Sequence, residues 1–187
     1  MSFFKNIQEK FSAKKTEDLA PTTDEIAEVK REFKNFANSY RIGILCYYTD
    51  LQTQNEISNY KKQLENFGYE CDVLMFLDQK EPESGIFLQT FDWNDLDKKT
   101  GMPHSPRTDR YTVKKYDMLF NLYFAESKPL KYLAKRSQAK CRVGPYVETL
   151  KQVSDILIIC ENDTSIGSLI IKINNTLNLK PYERRQI

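Results

Sequence analysis

The sequence predicts an α/β protein: an open, mostly parallel sheet with helices on both faces, preceded by one or two N-terminal helices. Two observations carry this expectation. Short, near-continuous apolar runs recur along the chain, as in strands covered on both faces. Between them lie segments whose apolar residues fall three and four apart, the period of an amphipathic helix. Strand–helix–strand alternation builds βαβ units, whose strands run parallel with right-handed crossovers.

The elements follow in chain order. Phe3, Phe4, Ile7 and Phe11 share a helical stripe among Lys5, Lys10, Lys14 and Lys15. Four large apolar side chains are costly to leave in water. The stripe therefore predicts a helix docked on its own domain or on a partner, most simply a second copy of the chain in a homodimer. A peripheral membrane contact assisted by the lysines is the second choice, and a frayed terminus the third. Residues 1–23 form this N-terminal amphipathic helix and linker. Thr22 and Glu25 have capping-box spacing, and Ile26, Val29, Phe33, Phe36 and Tyr40 predict a helix over 24–39.

The single α/β domain spans 24–180, and 181–187 form a polar tail. Its first strand runs from Ile42 to Tyr48. A helix follows with Ile57, Tyr60, Leu64 and Phe67 on one side, ending at Gly68, where a cap wants positive φ. Cys71–Leu77 is the next buried strand. Ile86–Phe91 predicts a short strand, and 92–112 a long irregular stretch. Regularity returns with a central strand over Asp117–Phe124, a helix opened by Pro129, a brief strand at Cys141–Val143, a last strand at Asp155–Cys160, and a closing helix carrying Ile166, Leu169, Ile170, Ile173 and Leu177. The strands near 42–48, 72–77, 117–123 and 155–160 are expected as parallel neighbours in one Rossmann-like sheet.

Composition excludes several chemistries. The net charge of +2 gives no global reason to bind nucleic acid, which is an unlikely partner. One histidine, His104, forbids a multi-histidine metal site. The spacing of Cys46, Cys71, Cys141 and Cys160 contains no C-x-x-C, so no zinc knuckle and no metal site is expected. These cysteines read as buried free thiols of a cytoplasmic chain. No signal peptide or transmembrane run is visible. No glycine-rich phosphate loop is present, and no cofactor is expected.

In such sheets ligands sit outside the C-terminal strand ends. That address contains the candidate ligand-binding residues Asp50, Asn121, Glu126, Ser127 and Asp163. Asp50 could act as a base or hold a ribose or metal, or simply cap a helix. Asn121 is polar inside an apolar run and needs a partner when buried. Glu126, Ser127 and Asp163 stand before helices, where caps and anion sites share the same geometry. The segment 128–151 holds seven cations against the single acid Glu148. Lys131, Lys135, Arg136 and Arg142 are its candidate anion-binding residues; a solvated helix face is the alternative.

The passage Y-D-M-L-F-N-L-Y-F (116–124), then K-P-L-K-Y-L-A-K-R-S-Q-A-K-C-R-V-G (128–144), resembles a family of small bacterial proteins known only as a domain of unknown function. The resemblance covers about 41–179. The passage is also remotely similar to the N-terminal half of lipopolysaccharide heptosyltransferases, through Arg142, Val143 and Gly144. Those enzymes carry a Gly-Asp turn after their first strand, whereas this chain reads Y-Y-T-D-L, with Asp50 but no glycine. No catalytic residue carries over. The leading expectation is a ligand- or partner-binding module without catalysis. The alternative is a stand-alone or degenerate transferase acting on a phosphorylated or sugar substrate.

Overall fold

The computed structural model of the chain describes residues 29–78, 85, 88–160 and 163–183. Within them one sheet contains β1 (Arg41–Tyr47), β2 (Glu70–Phe76), β3 (Thr90–Phe91), β4 (Met118–Leu122), β5 (Cys141–Pro145) and β6 (Ile156–Ile158). Their spatial order is β3-β2-β1-β4-β5-β6, and every pairing is parallel. The four expected strands are all present. β1 lies between β2 and β4, while β6 is separated from β4 by β5. Chain progression reverses at β1 and β4, so the topological switch point lies between them.

Among the described residues four helices cover the sheet: α1 (Leu51–Asn66), α2 (Pro106–Val113), α3 (Lys128–Arg136) and α4 (Ile166–Thr176). Side chains of period two divide between the faces. Ile42, Ile44 and Cys46 of β1 pack with Ile57, Tyr60 and Leu64 of α1 and with Leu169 and Ile173 of α4. Leu45 faces the other way, into a layer with Tyr111 of α2 and Leu130 and Leu133 of α3. α1 ends as its sequence requires, with Gly68 at φ +90.

Gly43 answers a different need. A Cβ there would stand 2.9 Å from Tyr111 Oη, 3.0 Å from Leu119 Cδ1 and 3.1 Å from Tyr116 Cδ2. The Tyr111 and Tyr116 rings, 5.1 Å apart, lie against β1 in the space that a side chain would take.

Three expectations change. Residues 29–35 are not helical, and only Phe36–Asn38 forms a single 3-10 turn. Tertiary partners override the helical period: Glu32 N–H donates to Lys140 O, and the Arg31 guanidinium donates to the carbonyls of Ala139 and Ser137. Of the anticipated stripe within 29–40, Phe36 is fully buried, whereas Phe33 is 67% exposed. The stretch 92–112 is not irregular throughout. It contains a 3-10 turn at Trp93–Asp95 and most of α2, which opens on a Ser105–Thr108 capping box with proline in its first turn. β3 is shorter than expected, and Ile86 and Phe87 lie outside the described residues. So does the predicted helix over 3–11.

Substituting Gly43 by alanine should overpack the aromatic pair and cost about 1–3 kcal/mol in urea unfolding. An unchanged midpoint would show that Tyr111 and Tyr116 can withdraw without loss.

Candidate functional site

Because every strand is parallel, the helices that follow β1, β4 and β6 all begin at one edge of the sheet. Of the polar residues expected to bind a ligand, Asp50, Glu126, Ser127 and Asp163 stand at or just before those starts. Asp50 is the N-cap of α1, and its carboxylate accepts the Thr53 N–H at 2.7 Å. That backbone hydrogen bond is the chief reason its carboxyl lies below the usual carboxylate range. Ser127 caps α3, its hydroxyl accepting the Leu130 N–H at 3.4 Å. Asp163 accepts the Ser165 N–H at 2.8 Å, and Ser165 in turn caps α4. The Ser165 side-chain hydrogen bond, then its backbone one, holds Asp163 below its ordinary pKa. Glu126 is exposed and pairs with Lys131 at 3.6 Å.

Asn121 is fully buried on β4. Its amide donates to Val153 O at 2.9 Å and to Ser154 Oγ at 3.1 Å, while its Oδ1 has no partner among the described residues. Gly144 makes room for this junction, since a Cβ there would stand 2.6 Å from Ser154 Oγ and 3.1 Å from Asn121 Cβ. Asn121 thus ties the C-terminal end of β4 to the turn before β6.

The four basic candidates do not converge. Lys131 sits in the first half of α3 and Lys135 and Arg136 in its last turn, with Arg136 over the Tyr132 ring at 5.4 Å. Arg142 stands at the start of β5, toward the opposite edge of the sheet. Its Nη2 and Nε donate to the two carboxylate oxygens of Asp155 at 2.7 and 3.0 Å.

Other features were not legible in the sequence. Tyr48 and Tyr123, the residues that follow β1 and β4, are 4% and 1% exposed and pack into the hydrophobic layers on opposite faces of the sheet. Leu51, Trp93, Tyr146 and Ile159 are exposed along the same edge. Trp93 is held in place there: its indole N–H donates to Asp78 O at 3.3 Å, and its ring meets Phe76 edge-on at 5.6 Å. The Tyr47 hydroxyl donates to the Asp78 carboxylate at 2.5 Å. Burial, then that carboxylate, pushes the Tyr47 phenol up to about 12. The described loops that follow the strands carry Asp50, Asp78, Asp92, Asp95, Asp97, Glu126 and Asp163 together with Lys98 and Lys99, and Lys151 lies over the Tyr146 ring at 4.8 Å.

A cavity of about 370 Å³ lies elsewhere, against the start of β2 and the second half of α1. Glu70 and Asp72 line it, and both already hold Lys114. Cys71 also borders it, 6% exposed, with a thiol that burial pushes up to about 12, so it is no nucleophile at neutral pH. All four cysteines are free. His104 is exposed, 3.8 Å from Asp109. Among the described residues no acidic, histidine or cysteine group has metal-binding geometry, and no helix is long and apolar enough to cross a membrane.

The Asp155–Arg142 pair sets an acid limit on stability. Burial alone would raise the Asp155 pKa, but hydrogen bonds from Arg142 outweigh it and lower the value. A carboxyl with a lowered folded pKa stabilises above its ordinary pKa and loses that contribution as pH falls through the folded value. Asp155→Asn should therefore weaken the protein at neutral pH and flatten the loss of urea stability below about pH 4. An identical acid slope in both proteins would mean that the pair contributes nothing.

No curated protein matches this sequence. One family model does, over residues 8–178, which takes in every strand and helix described above. The chain accordingly belongs to the Family of unknown function (DUF6913).

Proposed function

We propose that this chain is a partner-binding α/β module whose docking surface is the C-terminal edge of its sheet. The observation that carries the proposal is the state of that edge. Tyr48 and Tyr123 are buried in the two hydrophobic layers at the ends of β1 and β4, while Leu51, Trp93, Tyr146 and Ile159 stand exposed along that edge. A ligand pocket needs concavity and convergent polar groups. Here Asp50, Ser127 and Asp163 are engaged in starting helices, and Asn121 in bracing β4. Exposed aromatic and aliphatic residues rimmed by charge suit a protein surface instead. The alternative, a stand-alone or degenerate transferase on a phosphorylated or sugar substrate, needs a rim carboxylate tuned upward toward neutrality as acid or base. Asp50 is shifted the other way.

Affinity capture with the full chain should yield a protein partner that is lost with Trp93→Ser and with Ile159→Ser. It should be retained with Ile171→Ser, a comparably exposed residue on α4 (61%, against 58% for each rim residue). Retention of capture by both rim variants would overturn the proposal. So would thermal stabilisation by a nucleotide or sugar phosphate, which mass action requires of any ligand selective for the folded state.

A further inference from the structure

We propose that the N-terminal edge of the sheet, opposite the rim, is a peripheral docking surface for an anionic lipid bilayer. This goes beyond the rim reading: a molecule seated this way turns its rim toward solution.

The surface is assembled across the chain. Thr112 O accepts the Gln138 N–H at 3.1 Å, so α2 and α3 end side by side. Arg110 and Lys115 come from the α2 end, and Lys135 and Arg136 from the α3 end. Among the described residues none of these four pairs with a carboxylate. The acids nearby are occupied. Lys140 holds Asp117, Lys114 holds Glu70 and Asp72, and Asp109 faces His104 at 3.8 Å. Helix C-termini attract cations themselves, but two ends amount to about one negative charge. Capping therefore leaves about three positive charges unanswered.

Apolar side chains stand at the same edge. Phe33 and Val113, each 67% exposed, are the most exposed large apolar residues among those described. Val113 is the last residue of α2. Phe33 follows Glu32, whose N–H donates to Lys140 O, and the Lys140 N–H donates to Tyr116 O, each at 3.0 Å. Glu32 is answered by Lys34 at 3.0 Å.

This combination selects the partner. At a bilayer surface cations meet anionic headgroups while apolar side chains enter the boundary with the acyl chains. A nucleic acid would use the cations alone and gain nothing from Val113 and Phe33. Tyr132, the aromatic beside the α3 cations, already carries Arg136 over its ring at 5.4 Å and offers no free stacking face to a base on that side.

Sedimentation with lipid vesicles tests the inference on the full chain. Mixed phosphatidylserine and phosphatidylcholine vesicles should bind it, and phosphatidylcholine alone should not. Each cation near such a surface contributes about fivefold. Arg110→Gln/Lys115→Gln/Lys135→Gln/Arg136→Gln should thus weaken binding about 100-fold or more, and Val113→Ser should weaken it several-fold. Every variant is checked as folded by circular dichroism. Ile171→Ser, on the exposed face of α4, should bind as the native chain does. Salt at about 1 M, which screens charges within about 3 Å, should release the protein. Trp93 is the sole tryptophan and reports the orientation. It stands at the opposite edge, beyond strands about 23 Å long. Lipids brominated in their acyl chains should therefore leave its emission unchanged in the bound protein.

Absence of binding to the anionic vesicles would overturn the inference, as would equal binding by the quadruple variant. Binding lost with Phe3→Ser/Phe4→Ser/Phe11→Ser but kept by the quadruple variant would move the contact to residues 1–15. Quenching of Trp93 by brominated lipid would move it to the rim. DNA that displaces the vesicles, with Val113→Ser without effect on either, would assign the cations to nucleic acid. Each of these outcomes removes the bilayer from this edge and leaves protein capture by the rim as a separate readout.

Discussion

Parallel strand pairing is the constraint on which the rest of the molecule depends. Once β1 pairs in parallel with both β2 and β4, each connection must return across a face of the sheet. The strand C-termini and the starts of α1, α3 and α4 then share one edge. Helix starts leave backbone N–H groups without partners and carry partial positive charge. Side chains that accept hydrogen bonds are required there, and Asp50, Ser127 and Ser165 supply them. The acidic, hydroxyl-rich character of that edge is first a folding requirement.

The opposite edge obeys the same rule with the sign reversed. α3 ends on Lys135 and Arg136, where cations suit the unpaired carbonyls. Around them the strand beginnings are tied by ion pairs: Lys140 with Asp117, Arg142 with Asp155, and Lys114 with Glu70 and Asp72. Asp117 also accepts the backbone N–H groups of Tyr40 and Arg41 and so fixes the entry into β1. The surplus of cations over 128–151 is thereby divided. Part of it closes α3, part is neutralised within the fold, and Lys151 pairs with Glu148. A run of charge along the sequence does not become a patch in space when a helix and a strand carry its members to different places.

The strands were legible because burial on both faces leaves a continuous apolar run, as in Ile42–Cys46 and Met118–Phe120. Gly68 was legible because a helix end demanded positive φ. The helix expected over 24–39 was not real across its described part, because spacing alone cannot tell an apolar stripe from single residues that land in different places. Phe36 reaches the core, Phe33 reaches solvent, and Arg31 is held by carbonyls more than a hundred positions away. α2 was hidden by the glycine and prolines before it, although Ser105, Pro106 and Thr108 spelled its start. At the candidate site the sequence located the edge and its polar residues. It did not reveal that Tyr48 and Tyr123 would be buried in opposite layers, because the direction in which an aromatic points at a strand end depends on its neighbours across the sheet.

The protonation of Asp50 separates a helix cap from a ligand or catalytic group most directly. Its carboxylate can be followed by carbon-detected NMR across the acid range in the full chain. Engagement with the Thr53 N–H requires a midpoint below the ordinary aspartate value of 3.8, together with a matching change at the Thr53 amide. A midpoint raised toward neutrality, with the Thr53 amide indifferent to it, would contradict the assignment of this edge to folding and partner contact.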